Sequence, residues 1–294
     1  MEIIKMKVEK WYSVYIYYDK AYETCLIEVV KPLLKLLEEQ SLISNFFYIK
    51  YWEDGPHIRL RVKTFHDVGP LISSFLDQKI EERDDITSFK WIDYVPEIDR
   101  YGGPKAIGIA ELQFNQSSTT ILSLLTDHYE EWDYDLAIGY AMELNINFAK
   151  GMGLSRQEAV RFFKSAFLRW FFMACNQLKI KNTDLLETFN QAFLKQKERL
   201  VSFVETSWNG SNHEQWRIAN VDVSAGLKQL ERSNQIVYPV HSNNANSDEP
   251  VWLIYDSLCH MTNNRLGILN RDESYIYFII FNALSILNEA RNLH

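Results

Sequence analysis

FFYIKYWEDGPHIRLRVK, residues 46–63, sets two strand-like runs on either side of an Asp-Gly pair, a strong short-range signal for a β-hairpin. Side chains alternate across a strand, so Ile58, Leu60 and Val62 face a core while His57, Arg59, Arg61 and Lys63 share the opposite face. A tight turn at Asp54-Gly55 predicts that Trp52 pairs with His57, Lys50 with Arg59 and Tyr48 with Arg61, leaving Phe47, Ile49 and Tyr51 on the apolar face. Cations directly opposite each other destabilise a hairpin. Either an anion sits between them, or the face is a solvated edge on which Lys and Arg oppose aggregation. The interleaved aromatic residues favour a covered face, and arginine suits a carboxylate because its guanidinium grips both oxygens.

Upstream, WYSVYIYY (11–18) is aromatic and β-branched and predicts a strand. Apolar positions through 20–39 form a helical stripe, with Pro32 inside it as a bend or a restart. Downstream, residues 66–84 read as a helix and SFKWIDYV (88–95) as a strand. The order β-α-β-β-α-β is that of a ferredoxin-like split βαβ unit. Beyond about residue 105 the apolar period becomes helical, through 106–124, 134–150, 155–180, 183–205 and 270–291, broken by the polar stretches 206–215 and 239–250. The expected class is α+β. Residues 1–104 make the ferredoxin-like region, and 105–294 make a larger, mainly helical region packed with it, the site lying between them.

The 294 residues are 47% hydrophobic and carry a formal net charge of −8, which argues against whole-surface affinity for nucleic acid or anionic membrane. A local cationic face in an acidic protein points to a small anion. Cys25, Cys175 and Cys259 are widely spaced and read as buried free thiols of a reducing compartment. The first ten residues lack a signal-peptide apolar block, and YIYFIIFNALSIL (275–287) is too short to span a bilayer, so a cytoplasmic protein without membrane attachment is expected.

Two further stretches carry chemistry. In YVPEIDRYGGP (94–104), Arg100 stands beside a glycine pair able to adopt backbone conformations closed to other residues; the stretch is a plain strand exit or a device that delivers a third arginine. SLCHMTNNRLGI (257–268) places His260, Asn264 and Arg265 in an apolar setting, where the histidine is either a hydrogen-bonded core residue or a proton-transfer group. No nucleophile triad order, phosphate loop, dinucleotide fingerprint or metal-ligand spacing is found. The residues alone support cofactor-free acid–base chemistry on an anionic substrate.

FFYIKYWEDGPHIRLRV, YVPEIDRYGGPKAI with AELQF, and HMTNNRLG follow in the order found in the C-terminal elimination domains of class I lantibiotic dehydratases, which the chain resembles from about Trp11 to its C-terminus. The same domain occurs free-standing in thiopeptide and related peptide-natural-product (RiPP) pathways. In that family a partner domain esterifies Ser or Thr of a precursor peptide with glutamate from glutamyl-tRNA, and the elimination domain removes the glutamate to leave dehydroalanine or dehydrobutyrine. The resemblance implies a lyase-type β-elimination by a stand-alone subunit in which Arg59, Arg61 and Arg100 hold the glutamyl group and His260 assists proton transfer. His57, Lys50, Tyr48, Tyr101 and Arg265 are expected to complete the substrate-binding surface. The implied partners are the glutamylating dehydratase subunit and a precursor peptide with its leader; no cofactor, no metal and no direct tRNA binding are expected, and a homodimer is allowed. The sequence departs from the family at Lys50, where arginine is common, and at Asn115-Gln116-Ser117-Ser118, where Asp-Ser is common. Two other readings stand beside elimination. One is a pyridine synthase, which joins two dehydroalanines in a formal [4+2] cycloaddition and expels the leader. The other is a non-catalytic subunit that docks a leader peptide or the glutamylating partner, for example on a sheet edge. Retention of three arginines and His260 favours elimination, because a cycloaddition has no glutamate to grip.

Overall fold

The computed structural model describes residues 8–239 and 249–291 and divides into two compact units. The first comprises the described residues up to Pro96 together with Phe114–Glu131; the second comprises Glu97–Gln113 and the described residues from Trp132 onward.

In the first unit, strands β1 (Lys10–Tyr18), β2 (Asn45–Tyr51), β3 (His57–Thr64) and β4 (Ile86–Trp91) form one sheet in the order β2-β3-β1-β4. Every neighbouring pair is antiparallel, which is the split βαβ arrangement read from the sequence. Helices α1 (Tyr22–Cys25) and α2 (Lys31–Glu39) connect β1 to β2, and α3 (Gly69–Glu82) connects β3 to β4. Val14, Ile16, Tyr48, Ile58, Leu60 and Val62 make the buried sheet face, and Leu26, Val29, Leu33, Leu37, Ile72 and Leu76 are the buried residues of the helical layer. Each side chain so buried contributes about 1.5–3 kcal/mol. A π-helical turn, Leu26–Val30, joins α1 to α2, with the Lys31 N–H bonded to the Leu26 carbonyl five residues back. Pro32 then falls in the first turn of α2, where a missing N–H is tolerated, so the helix restarts rather than breaks.

An edge strand exposes unpaired backbone groups. Helix α4 (Ile107–Asp127) supplies partners for β2: Asn115 Nδ2 donates to the Phe46 carbonyl at 2.9 Å, and the Tyr48 N–H donates to Ser118 Oγ at 3.2 Å. Residues 115–118 are thus the stretch that supplies these partners.

The second unit is helical: α5 (Tyr134–Gly151), α6 (Arg156–Leu178), α7 (Asn182–Lys195), α8 (Lys197–Asn209), α9 (Glu214–Arg232), α10 (Trp252–Arg265) and α11 (Asn270–Arg291). Helix α6 begins at a capping box in which Ser155 and Glu158 bond each other's backbone N–H groups. It packs on α11 through Phe163 against Tyr277 and Phe167 against Phe278, with ring centroids 5.8 and 5.4 Å apart. The polar stretch expected to loop over 206–215 is mostly helix, because α8 runs on to Asn209 and α9 begins at Glu214. The other expected loop, 239–250, lies largely outside the described residues. No described helix is long and apolar enough to cross a membrane, and the three cysteines are buried free thiols.

Candidate functional site

The hairpin forms, but one residue out of the expected register. Tyr51 pairs with His57, Ile49 with Arg59, Tyr48 with Leu60 and Phe47 with Arg61, so residues 52–56 make a five-residue connection. A two-residue turn would need an N–H from the residue after the Asp-Gly pair, and Pro56 has none. The chain instead places Asp54 and Gly55 at φ 61° and 103° and closes with the Gly55 N–H on the Trp52 carbonyl at 3.2 Å. The slip reverses the faces of β2. Phe47, Ile49 and Tyr51 join the cationic face, while Tyr48 and Lys50 turn to the helix-covered side. Tyr48 is fully buried there, and Lys50 Nζ lies 3.9 Å from the centre of the Tyr22 ring. Burial holds the Lys50 ammonium below its ordinary range, against the pull of Glu23. The expected Lys50–Arg59 confrontation therefore does not arise.

The corrected face is a lattice of cations on aromatic rings. The Arg59 guanidinium lies 3.4 Å from the centre of the Tyr51 ring and 4.6 Å from that of Tyr15. Arg61, only 6% exposed, sits 5.2 Å from Phe47 and 4.8 Å from Tyr94. His57 stacks on Tyr15 at 4.9 Å; its Nδ1 donates to the Gly55 carbonyl at 2.8 Å, and its Nε2 accepts from Arg59 Nε at 3.1 Å. That pattern requires a neutral imidazole. Burial, followed by the Arg59 charge, holds its pKa below the ordinary histidine value. Cations over the electron-rich ring faces are attracted by the ring quadrupole, which restrains the two arginine side chains. Period-2 reading of WYSVYIYY places Trp11, Ser13, Tyr15 and Tyr17 on one face, so Tyr15 was findable; Tyr51 was hidden by the register.

In the second unit, Arg100 ends a 3₁₀ turn, Ile98–Arg100. Its Nε donates to Ser257 Oγ at 3.2 Å, its Nη1 meets Glu97 Oε2 at 3.3 Å, and its guanidinium lies 5.8 Å from the buried Tyr101 ring. Gly102 and Gly103 follow at φ 93° and 89°, and a Cβ on Gly102 would stand 2.9 Å from Ile254 Cδ1, so the pair is required by both backbone and packing. Ser257 and His260 are three residues apart on one side of α10.

His260 Nδ1 bonds Glu273 Oε2 at 2.8 Å. Glu273 comes from the first turn of α11 and is fully buried; its Oε1 accepts from Tyr277 Oη at 2.7 Å and Asn263 Nδ2 at 3.1 Å, and Asn145 Nδ2 bonds Asn263 Oδ1 at 2.8 Å. The carboxylate can only accept, so Nδ1 carries a proton, and in the neutral ring the lone pair lies on Nε2. One face of the imidazole lies 4.1 Å from Trp170, nearly parallel to it at 19°. Burial pushes the Tyr277 phenol well above its usual range, with the Glu273 charge adding to the effect, so the phenol remains a donor. Neither Glu273 nor Trp170 was singled out in the sequence. Arg265 is fully buried, with Nη1 on the Met261 carbonyl at 2.7 Å. The structure thus brings His57, Arg59 and Arg61 together in one unit, and in the other bonds Arg100 to Ser257 of α10, the helix that also carries His260.

A split-βαβ sheet with a cationic, aromatic face and a helical unit holding a histidine–carboxylate pair make this an α+β protein. The chain belongs to the lantibiotic biosynthesis dehydratase C-terminal family, whose sequence profile matches residues 11–284. It is 23% identical over 254 residues to the nisin biosynthesis protein NisB of Lactococcus lactis subsp. lactis, a match covering 85% of this chain and 23% of that protein. The chain spans about a quarter or less of the length of the curated relatives it matches. Among solved structures, TsrL aligns with a TM-score of 0.75 at 14% identity over 96% of both chains. TbtD, a pyridine synthase from thiomuracin biosynthesis, aligns with a TM-score of 0.70 at 13% identity over 96% of this chain and 99% of its own. At such identities the likeness is one of fold.

Proposed function

We propose that this protein is the glutamate-elimination subunit of a split class I dehydratase, acting on glutamylated Ser and Thr of a ribosomal precursor peptide. The observation that carries the reading is the guanidinium of Arg59 over the rings of Tyr15 and Tyr51, on a cationic face that suits a carboxylate. Arg59, Arg61 and Arg100 bind the glutamyl group, and His260 is the base. His260 Nε2 takes the Cα proton of the esterified residue. The electrons of that C–H bond become the Cα=Cβ double bond as the Cβ–O bond breaks, and the oxygen leaves with its electron pair as the glutamate carboxylate. The proton on His260 then returns to solvent. Guanidinium groups stabilise the negative charge as it passes to the departing carboxylate, and the Glu273 carboxylate faces the imidazolium as it forms. The family membership and the NisB match support this reading.

A second reading has one observation in its favour: TbtD, named as a pyridine synthase, shares the fold along nearly its whole length. One experiment separates the two. Purified protein is given a peptide carrying chemically installed glutamyl esters, without tRNA or ATP, and separately a peptide carrying two dehydroalanines. Loss of glutamic acid from the first, read by mass spectrometry, with the second unchanged is the expected result. Cyclisation of the second and persistence of the first would establish the synthase reading instead.

A further inference from the structure

The imidazole of His260 has a second neighbour, an indole stacked on its face. Trp170, on α6, lies face to face with it, the ring centroids 4.1 Å apart and the planes 19° from parallel. The indole is itself held: Nε1 donates to Asp256 Oδ1 at 3.1 Å, and Asp256 Oδ2 pairs with Arg169 Nη2 at 3.0 Å. Asp256 is 6% exposed, and an ion pair at that depth costs desolvation that an apolar pair of the same volume would avoid. Asp256 and His260 are four residues apart on α10, and Arg169 and Trp170 are adjacent on α6, so the four side chains interlock between two helices.

We propose that Trp170 is a positioning residue for proton transfer at His260: its indole face steadies the imidazolium that forms when Nε2 takes the substrate proton, and the Asp256–Arg169 pair holds that face in place. The inference rests on the reading of His260 as the base. A neutral imidazole gains little electrostatically from a ring face. A protonated one, at this separation, meets the negative face of the indole quadrupole. The attraction grows only as the proton arrives, so it lowers the barrier without strengthening substrate binding and belongs in kcat rather than KM. Donation of the indole N–H to a carboxylate leaves the ring richer in electrons and strengthens the effect. The ring also fixes the tilt of the imidazole, while Glu273 fixes its rotation through Nδ1.

The test compares three variants on purified glutamylated peptide. Trp170→Phe keeps an aromatic face and loses the N–H; Trp170→Leu loses the face; Asp256→Asn keeps an acceptor and removes the charge. The expected order of kcat is wild type, then Trp170→Phe and Asp256→Asn, then Trp170→Leu, the last reduced roughly three- to thirty-fold with KM within about twofold of wild type. A Trp170→Leu enzyme at the wild-type kcat, a Trp170→Phe enzyme no better than Trp170→Leu, or a change confined to KM overturns the inference. A second measurement needs neither turnover nor Trp170→Leu. Protonation of a stacked imidazole quenches indole emission, so acidification should quench one tryptophan signal in the wild type that is missing in both Trp170→Phe and His260→Gln. The charged groups facing that stack are Glu273, Asp256 and Arg169. Identical quenching in His260→Gln and wild type also overturns the inference. If His260→Ala itself turns over normally, the base reading fails and the inference falls with it; if His260→Ala is inactive while Trp170→Leu is at full rate, only the inference falls.

Discussion

Glu273→Gln should disable the enzyme while leaving it folded, and the reason lies in counting donors. The Glu273 carboxylate accepts from three: His260 Nδ1 at 2.8 Å, Tyr277 Oη at 2.7 Å and Asn263 Nδ2 at 3.1 Å. A glutamine of the same shape has one oxygen and one NH₂. Turning the oxygen toward Tyr277 and Asn263 satisfies both, and the NH₂ then points at His260 Nδ1. That contact is favourable only if Nδ1 is the acceptor, which moves the ring proton to Nε2. Every buried group keeps a partner, so unfolding free energy should change by no more than about 1 kcal/mol. His260, the base of the proposed mechanism, now presents an N–H where that role needs a lone pair. A positioned base is worth about 10²- to 10⁴-fold, and kcat for glutamate loss should fall by that order with KM little changed. Rates on glutamylated peptide, urea unfolding and ¹⁵N shifts of the His260 ring read the three consequences separately. A variant that shows the exchanged tautomer yet eliminates glutamate at the wild-type rate would falsify the assignment of Nε2 as the base.

Arg59→Lys keeps a charge but not the planar guanidinium over Tyr15 and Tyr51, so KM for glutamylated peptide should rise about tenfold, and Arg59→Ala should let glutamylated peptide accumulate as a mass increase per site. Ser118→Ala removes a hydrogen bond from the Tyr48 N–H on the β2 edge and should cost about 1–2 kcal/mol in urea unfolding, with catalysis on folded protein unchanged. Gly102→Ala forces a Cβ to 2.9 Å from Ile254 Cδ1 at φ 93° and should destabilise by about 1–3 kcal/mol, and wild-type stability in that variant would refute the strained-turn account of Arg100. His57 is held neutral, with its folded pKa below its unfolded value of about 6.5. Its contribution is therefore full above that pH and is lost as pH falls through it toward the folded pKa, so the stability difference between wild type and His57→Gln should shrink on acidification and stay flat above about pH 7.5.

Alternation and period carried the sequence reading as far as parity goes. The apolar face of β3, the aromatic side of β1 and the βαββαβ order are all written in residues 11–95, because a strand with one buried face must alternate. The pairing of β2 was not legible from the Asp-Gly pair; it turned on Pro56, whose missing N–H forbids the short turn that the pair otherwise suggests. Helix α10 went unread for a different reason. Nearly all its side chains from Trp252 to Arg265 are buried, so it has no polar face and shows no amphipathic stripe. Glu273 could not be chosen from its neighbour Asp272 by spacing, since only the packing of α11 decides which carboxylate meets His260 and which meets Tyr134.

The buried polar groups bear on which chemistry the fold serves. Asn145, Asn263, Tyr277 and Glu273 form a bonded chain that ends on one imidazole nitrogen, and Arg169, Asp256 and Trp170 form another that ends on its face. Stability alone does not favour such an arrangement, since well-packed apolar residues would hold α6, α10 and α11 together at least as well. A docking subunit has no use for a histidine whose tautomer and tilt are both fixed, which weighs against the non-catalytic reading. The histidine does not by itself choose between elimination and cycloaddition, because either can call for a base. The choice rests on the sheet. Arg59 and Arg61 lie over the rings of Tyr15, Tyr51, Phe47 and Tyr94, and a guanidinium suits a planar carboxylate. A departing glutamate carboxylate is such an anion, and a pair of dehydroalanines contains none. The proposed elimination needs a carboxylate held in this way, and the proposed cycloaddition does not.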